Sequence, residues 1–219
     1  MLLRLLFPAV CPICKEVVSE NQYQSNGFCE KCLRKLSKYS KYISGVNNNY
    51  PSCDNLYCCF KYFGDIKNLI IAYKFNGHSY MHKSFANFMH SFLSENHAYD
   101  SIDLITYIPI TSKRFAKRGY NQAKLIAKEL YYLNNKRIPL INMFERNKNR
   151  DIKTSSQGFE KRKQEKFIFT GNKIFNKNIL LIDDILTTGA TIEECSFLLK
   201  KHGAQNVTVA VIASGRRDF

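Results

Sequence analysis

The chain has 219 residues, 45% of them hydrophobic, which is enough for one domain of ordinary size with a sizeable core plus a small module. Its 33 Lys+Arg against 18 Asp+Glu leave a net charge of +15, pointing to polyanionic partners, nucleic acid first and a membrane surface second, with plain solubility as the bland alternative. No apolar run approaches the roughly 20 residues of a membrane span, and residues 1–7 are too short for a signal-peptide core and lack a small-residue cleavage site. These features read as a soluble cytoplasmic chain, in which the eight cysteines stay reduced and their spacing means metal rather than disulfides.

In chain order, Cys11-Pro12-Ile13-Cys14 and Cys29-Glu30-Lys31-Cys32 form two C-x2-C knuckles with fourteen residues between them. Two thiolates on one knuckle reach the same ion, and two knuckles complete a tetrahedron, so Cys11, Cys14, Cys29 and Cys32 are the expected ligands of a structural Zn2+. Redox chemistry of the thioredoxin type needs only one such motif, in a βαβ setting that neither knuckle has. A segment this short has little core of its own, and the metal substitutes for one. Cys53, Cys58 and Cys59 do not repeat the spacing, and Cys58, Cys59 and Cys195 read as packing residues. Residues 31–42 carry Lys31, Arg34, Lys35, Lys38 and Lys41 with Tyr39 and Tyr42 among them. Such a face suits single-stranded nucleic acid, and equally suits a solvated helix. The asparagine run in 45–51 is the best boundary, dividing the chain into a zinc module, 1–48, and a larger domain, 49–219.

Residues 56–63 read as a strand and 64–73 as a short helical unit, followed by Tyr73-Lys74-Phe75-Asn76-Gly77. Phe85, Phe88, Met89, Phe92 and Leu93 mark an amphipathic helix. His78, His82 and His90 read as surface or packing residues. A second strand at 102–108 runs into Pro109-Ile110-Thr111, then Lys113, Arg114, Lys117 and Arg118, then a helix marked by Ala123, Ile126, Ala127, Leu130 and Tyr131. The basic mouth of this turn suits a second phosphate, or is a helix start that opposes its own dipole. Residues 145–166, with eight basic side chains against four acidic, form a long polar loop of the kind that is usually functional or disordered.

The most informative stretch is 179–191. Ile179-Leu180-Leu181-Ile182 predicts a buried strand of a parallel sheet, with Asp183 and Asp184 at its carboxyl end. Thr187, Thr188, Gly189, Ala190 and Thr191 form a small-residue turn, and Ile192, Cys195, Leu198 and Leu199 recur at helical spacing. Such a turn exposes backbone N–H groups to a phosphate, and the carboxylates, acceptors only, suit vicinal sugar hydroxyls. One segment could hold a ribose 5-phosphate by both ends. Residues 207–213 are the last strand.

The 183–191 stretch resembles the phosphoribosyl-pyrophosphate (PRPP) motif of type I phosphoribosyltransferases. With the cysteine knuckles, Tyr73-Lys74-Phe75-x-Gly77, Ile108-Pro109-Ile110, Arg118-Gly119-Tyr120-Asn121-Gln122-Ala123 and Thr154-x-x-Gln157 in that order, nearly the whole chain resembles the ComF family of competence proteins. The resemblance implies an α/β, type I phosphoribosyltransferase-like parallel sheet of five or so strands flanked by helices, behind the zinc module. It implies that Asp183 and Asp184 hold the ribose hydroxyls, that Thr187, Thr188, Gly189, Ala190 and Thr191 wrap the 5-phosphate, and that Pro109, Ile110 and Thr111 form the pyrophosphate loop. Lys74 and Arg118 would join the PRPP site, with Mg2+ as its companion ion. Lys153, Thr154 and Gln157 would lie in a flexible loop closing over it, Lys153 standing where the family pattern has arginine.

The function so implied is handling of incoming single-stranded DNA in natural transformation beside a helicase-like competence protein, in the cytoplasm or peripheral to the inner membrane. Lys35, Lys38, Tyr39, Lys113, Arg114 and Lys117 are the candidate DNA contacts. The alternative is a phosphoribosyltransferase acting on an unidentified small-molecule acceptor, with Asp183 and Asp184 as its catalytic pair.

Overall fold

The computed structural model describes residues 10–19, 28–38, 40–44, 49–147, 166–172 and 174–216. Its centre is β6 (Lys177–Leu186), whose four aliphatic residues 179–182 are fully buried. β6 lies between β3 (Leu104–Tyr107) and β7 (Ala204–Ser214), parallel to both, and β7 is parallel in turn to β2 (Asn55–Lys61). The sheet order is β1-β2-β7-β6-β3, with β1 (Lys41–Ser44) antiparallel at one edge. The parallel sheet expected from the sequence is thus four parallel strands plus an antiparallel fifth.

Alternation along the strands explains why the sheet is apolar on both faces. Ile105, Tyr107, Leu180, Ile182, Ala210 and Ile212 point into one core, shared with α2 (Gly64–Phe75), α3 (His82–Glu95) and α5 (Gln122–Leu133). Leu104, Ile179, Leu181, Val207, Val209 and Val211 point into the other, covered by α6 (Ala190–Lys201). A short helix, α4 (Ser112–Arg118), follows β3. Beside this sheet, β4 (Phe144–Arg146) pairs antiparallel with β5 (Phe167–Phe169). These two strands stem the long polar stretch read as a loop, whose residues 148–165 lie outside the described residues.

One boundary differs from the sequence reading. β6 does not stop at Ile182 but runs on through both aspartates to Leu186. The reason is β7, an equally long partner: Asp183 pairs with Val211 and Leu186 with Ser214, so the ladder continues beyond the aliphatic run. On the other side β3 ends at Tyr107, and the last bond there is Ile108 N–H to the Ile182 carbonyl at 3.0 Å. The acidic pair therefore has a paired strand on one side only.

The cysteine segment is built into this architecture. Cys11, Val18, Phe28, Cys29, Cys32 and Leu36 belong to the same apolar cluster as Ile66, Leu69, Ile70 and Tyr73 of α2. α1 (Glu30–Ser37) places Lys35 on Asp65 at 2.9 Å, and β1 continues the main sheet. Among the described residues, no helix is long and apolar enough to cross a membrane. Because the segment shares a core with α2, Cys29→Ser is expected to release zinc and lower the midpoint of one common thermal unfolding transition. Calorimetry with metal analysis checks this. Two separated transitions would instead mark residues 1–48 and 49–219 as independent folding units.

Candidate functional site

Alternation along β6 sends Asp183 to the α6 side of the sheet and Asp184 to the α2 side. The two carboxylates therefore straddle the strand end instead of pointing at each other. The Asp184 amide donates to Asp183 Oδ1 at 2.8 Å. Burial, then the neighbouring Asp184 charge, push the Asp183 carboxyl up to about 7, against the opposing effects of that amide, Lys74 and Arg114. Asp184 is balanced directly: Lys74 Nζ, from the last turn of α2, lies 2.8 Å from its Oδ2, with both side chains only about 15% exposed.

Lys74 is held there by an interlock. Tyr73, beside it, donates from its hydroxyl to the Gln122 carbonyl at 2.9 Å, and the Tyr120 hydroxyl donates back to the Tyr73 carbonyl. Arg118 donates to Gln122 Oε1 at 3.0 Å and sets its guanidinium over the Phe75 ring, 4.9 Å from the centroid, while Lys117 Nζ lies 5.1 Å from the same ring. The buried Arg118 Nε meets no hydrogen-bond partner among the described residues. Burial lowers the Arg118 guanidinium from its usual range, and Asp184 opposes that shift.

The small-residue turn leaves Thr187, Thr188 and Ala190 exposed and Gly189 buried at the start of α6. Gly189 has φ +79°, in the left-handed region, and the Tyr50 ring packs so closely on it that a Cβ would come 1.9 Å from a ring carbon. The Thr188 hydroxyl accepts weakly from the Ala190 amide at 3.4 Å. With the α6 N-terminus behind it, the turn offers hydroxyls, amides and the positive end of a helix to a phosphate. After β3, Pro109 and Ile110 are half-buried, and Thr111 caps α4 by accepting the Arg114 amide at 3.2 Å. Asn121 ties α5 to this loop through a 3.0 Å bond to the Ile108 carbonyl.

The structure therefore gathers Asp183, Asp184, Lys74, Arg118, the 187–191 turn and the 109–111 loop at the carboxyl edge of the sheet. Lys113, Arg114 and Lys117 stand exposed on α4 beside them. Lys35 and Lys38 belong to α1 and its end, Lys35 being paired with Asp65, and form a separate basic face. Tyr39, Lys153, Thr154 and Gln157 lie outside the described residues. Two contributors escaped the sequence reading. Phe75 sat within a quoted motif, but nothing marked its ring as the seat of two cations. Tyr50 follows an asparagine run, and no spacing links it to Gly189.

The four knuckle sulfurs lie within 4.8 Å of one another, and Cys14 and Cys29 are 3.5 Å apart. A tetrahedron with Zn–S bonds of about 2.3 Å has edges of about 3.8 Å, so the cluster could hold one Zn2+. Cys53, Cys58, Cys59 and Cys195 are buried, as packing residues are, and burial pushes the Cys53 and Cys58 thiols up to about 12.

A phosphoribosyl transferase domain family matches residues 115–218, which include the acidic pair and the 187–191 turn. Competence protein F of Haemophilus influenzae is 26% identical over 199 residues, covering 87% of this chain and 86% of that protein. The ComFC competence proteins of Streptococcus pneumoniae and Bacillus subtilis are 29% and 30% identical, each over 68% of this chain and over 63% and 60% of their own lengths. These matches make the chain similar to the ComF competence proteins. In this chain the raised Asp183 carboxyl sets a pH signature. Its usual value is 3.8 and its folded value about 7, so the folded state holds the extra proton between them. Stability is expected to fall as pH rises through that window, by up to about 1.4 kcal/mol per pH unit. Asp183→Asn should flatten the slope, which urea titrations at pH 4.5 to 7.5 (a window of about three units,) would measure.

Proposed function

We propose that this ComF-like chain binds PRPP with Mg2+ at the carboxyl edge of its sheet and handles single-stranded DNA during natural transformation. The observation that carries the first half is the joint placement of two straddling carboxylates, a lysine on one of them and a phosphate turn at the start of a twelve-residue helix. In this reading Asp183 and Asp184 accept the ribose hydroxyls, and 187–191 surround the 5-phosphate. Lys74 and Arg118 balance the charge that gathers between the acidic pair and the pyrophosphate, near 109–111. Bound Mg2+ would neutralise pyrophosphate charge. The chain works beside a helicase-like partner, in the cytoplasm or peripheral to the inner membrane. Calorimetry with PRPP and Mg2+ tests the site: Asp183→Ala with Asp184→Ala removes the acceptors for the ribose hydroxyls and should abolish binding, while unchanged affinity would place the pocket elsewhere.

The second half rests on the +15 charge and on the exposed row Lys113, Arg114 and Lys117, which stands beside the exposed rings of Phe75 and Phe115. Cations track a nucleic-acid backbone and rings stack on its bases. Each phosphate contact on a single strand contributes about 0.7 to the salt slope, so four to six contacts predict a slope of roughly −3 to −4. Replacing Lys113, Arg114 and Lys117 with alanine should reduce it by about 2. Fluorescent oligonucleotide titrations across salt check this. A slope near zero would favour the alternative, transfer of phosphoribosyl to a small acceptor, in which Asp183 and Asp184 stabilise positive charge developing on the sugar.

A further inference from the structure

The segment between the cysteine module and the first parallel strand has a course that its sequence does not suggest. Residues 50–54 lie along α6 from one end to the other. At the end nearest the phosphate turn, Ser52 donates from its amide to Glu193 Oε2 at 3.2 Å and from its hydroxyl to Oε1 at 2.7 Å. At the opposite end Asp54 Oδ2 accepts the Val207 amide at 2.6 Å and pairs with Lys200 at 2.7 Å. The Cys53 amide donates to the Tyr50 carbonyl at 3.0 Å, closing the turn that aims the Tyr50 ring beneath Gly189. That ring is 1% exposed, shares an apolar cluster with Leu186 and Ile192 on either side of the turn, and carries the Arg216 guanidinium 5.4 Å from its centroid.

Resting on the PRPP reading, we infer that Tyr50 is a positioning residue for the 5-phosphate of a phosphorylated pentose, acting through Gly189. The argument is geometric. Thr187, Thr188 and Ala190 face solvent, so Gly189 is the buried point on which the exposed part of the turn rests. Its left-handed backbone sets the direction of the amides that follow, and the ring fills the space into which the turn would otherwise sag. A cradle held in shape before the ligand arrives loses less conformational freedom on binding. The strap also joins the phosphate end of the site to the stretch of chain that leaves the cysteine module.

The test uses the full chain and three variants. Tyr50→Phe keeps the ring; Tyr50→Leu keeps apolar bulk without it; Tyr50→Ala vacates the space, with Tyr50→Leu serving where that variant fails to fold. Calorimetry compares ribose 5-phosphate, which needs the phosphate turn, with Mg2+–pyrophosphate, which needs only the opposite end. Tyr50→Phe should bind both within about twofold of the parent, whereas Tyr50→Leu should lose about tenfold or more for ribose 5-phosphate alone. In the unliganded protein, amide exchange at 187–191 should quicken in Tyr50→Leu while that of β3 and β7 stays unchanged. Equal loss for both ligands, or unchanged exchange at 187–191, overturns the inference. A parent chain that binds neither ligand, with exchange that still responds, overturns the PRPP reading and upholds the hold of Tyr50 on the turn.

Discussion

Two adjacent carboxylates at the end of a buried strand are the constraint around which the site is arranged. In water such a pair repels mildly. At the rim of a core, burial and mutual repulsion penalise both charges together. Three features relieve this. Strand alternation sends the two groups to opposite faces of β6. Lys74 balances Asp184 at 2.8 Å, and the Asp183 carboxyl is pushed up to about 7. Lys74 reaches that position because Tyr73, Tyr120 and Gln122 lock α2 against the start of α5. The charged site is therefore supported by uncharged hydrogen bonds around it.

The amino-terminal part of the chain touches both ends of this arrangement. The cysteine segment packs on α2, whose last turn holds Lys74. The strap at 50–54 runs along α6, with Tyr50 beneath the 187–191 turn. β1 lies at the sheet edge, paired with β2. The described residues on either side of the asparagine run, the cysteine segment and the strap, both pack against the larger domain.

What the sequence determined by itself was local. The aliphatic run 179–182, the acidic pair, the small-residue turn and the helical stripe after it made strand, candidate site and helix legible within about two dozen residues, since each rests on side-chain period or backbone chemistry that acts at short range. The cysteine spacing was legible for the same reason: within each C-x2-C knuckle, short-range backbone geometry brings two thiolates to one ion. Tertiary structure decided what depends on partners distant in sequence. β6 runs on to Leu186 because β7 is long enough to pair with it, and its other side is left without a strand there because β3 is not. Lys74 meets Asp184 across 110 positions because a helix docks where it does, and Tyr50 meets Gly189 because a strap crosses α6. A pairing of this kind leaves no period in the sequence, because its geometry is set by the packing of whole elements.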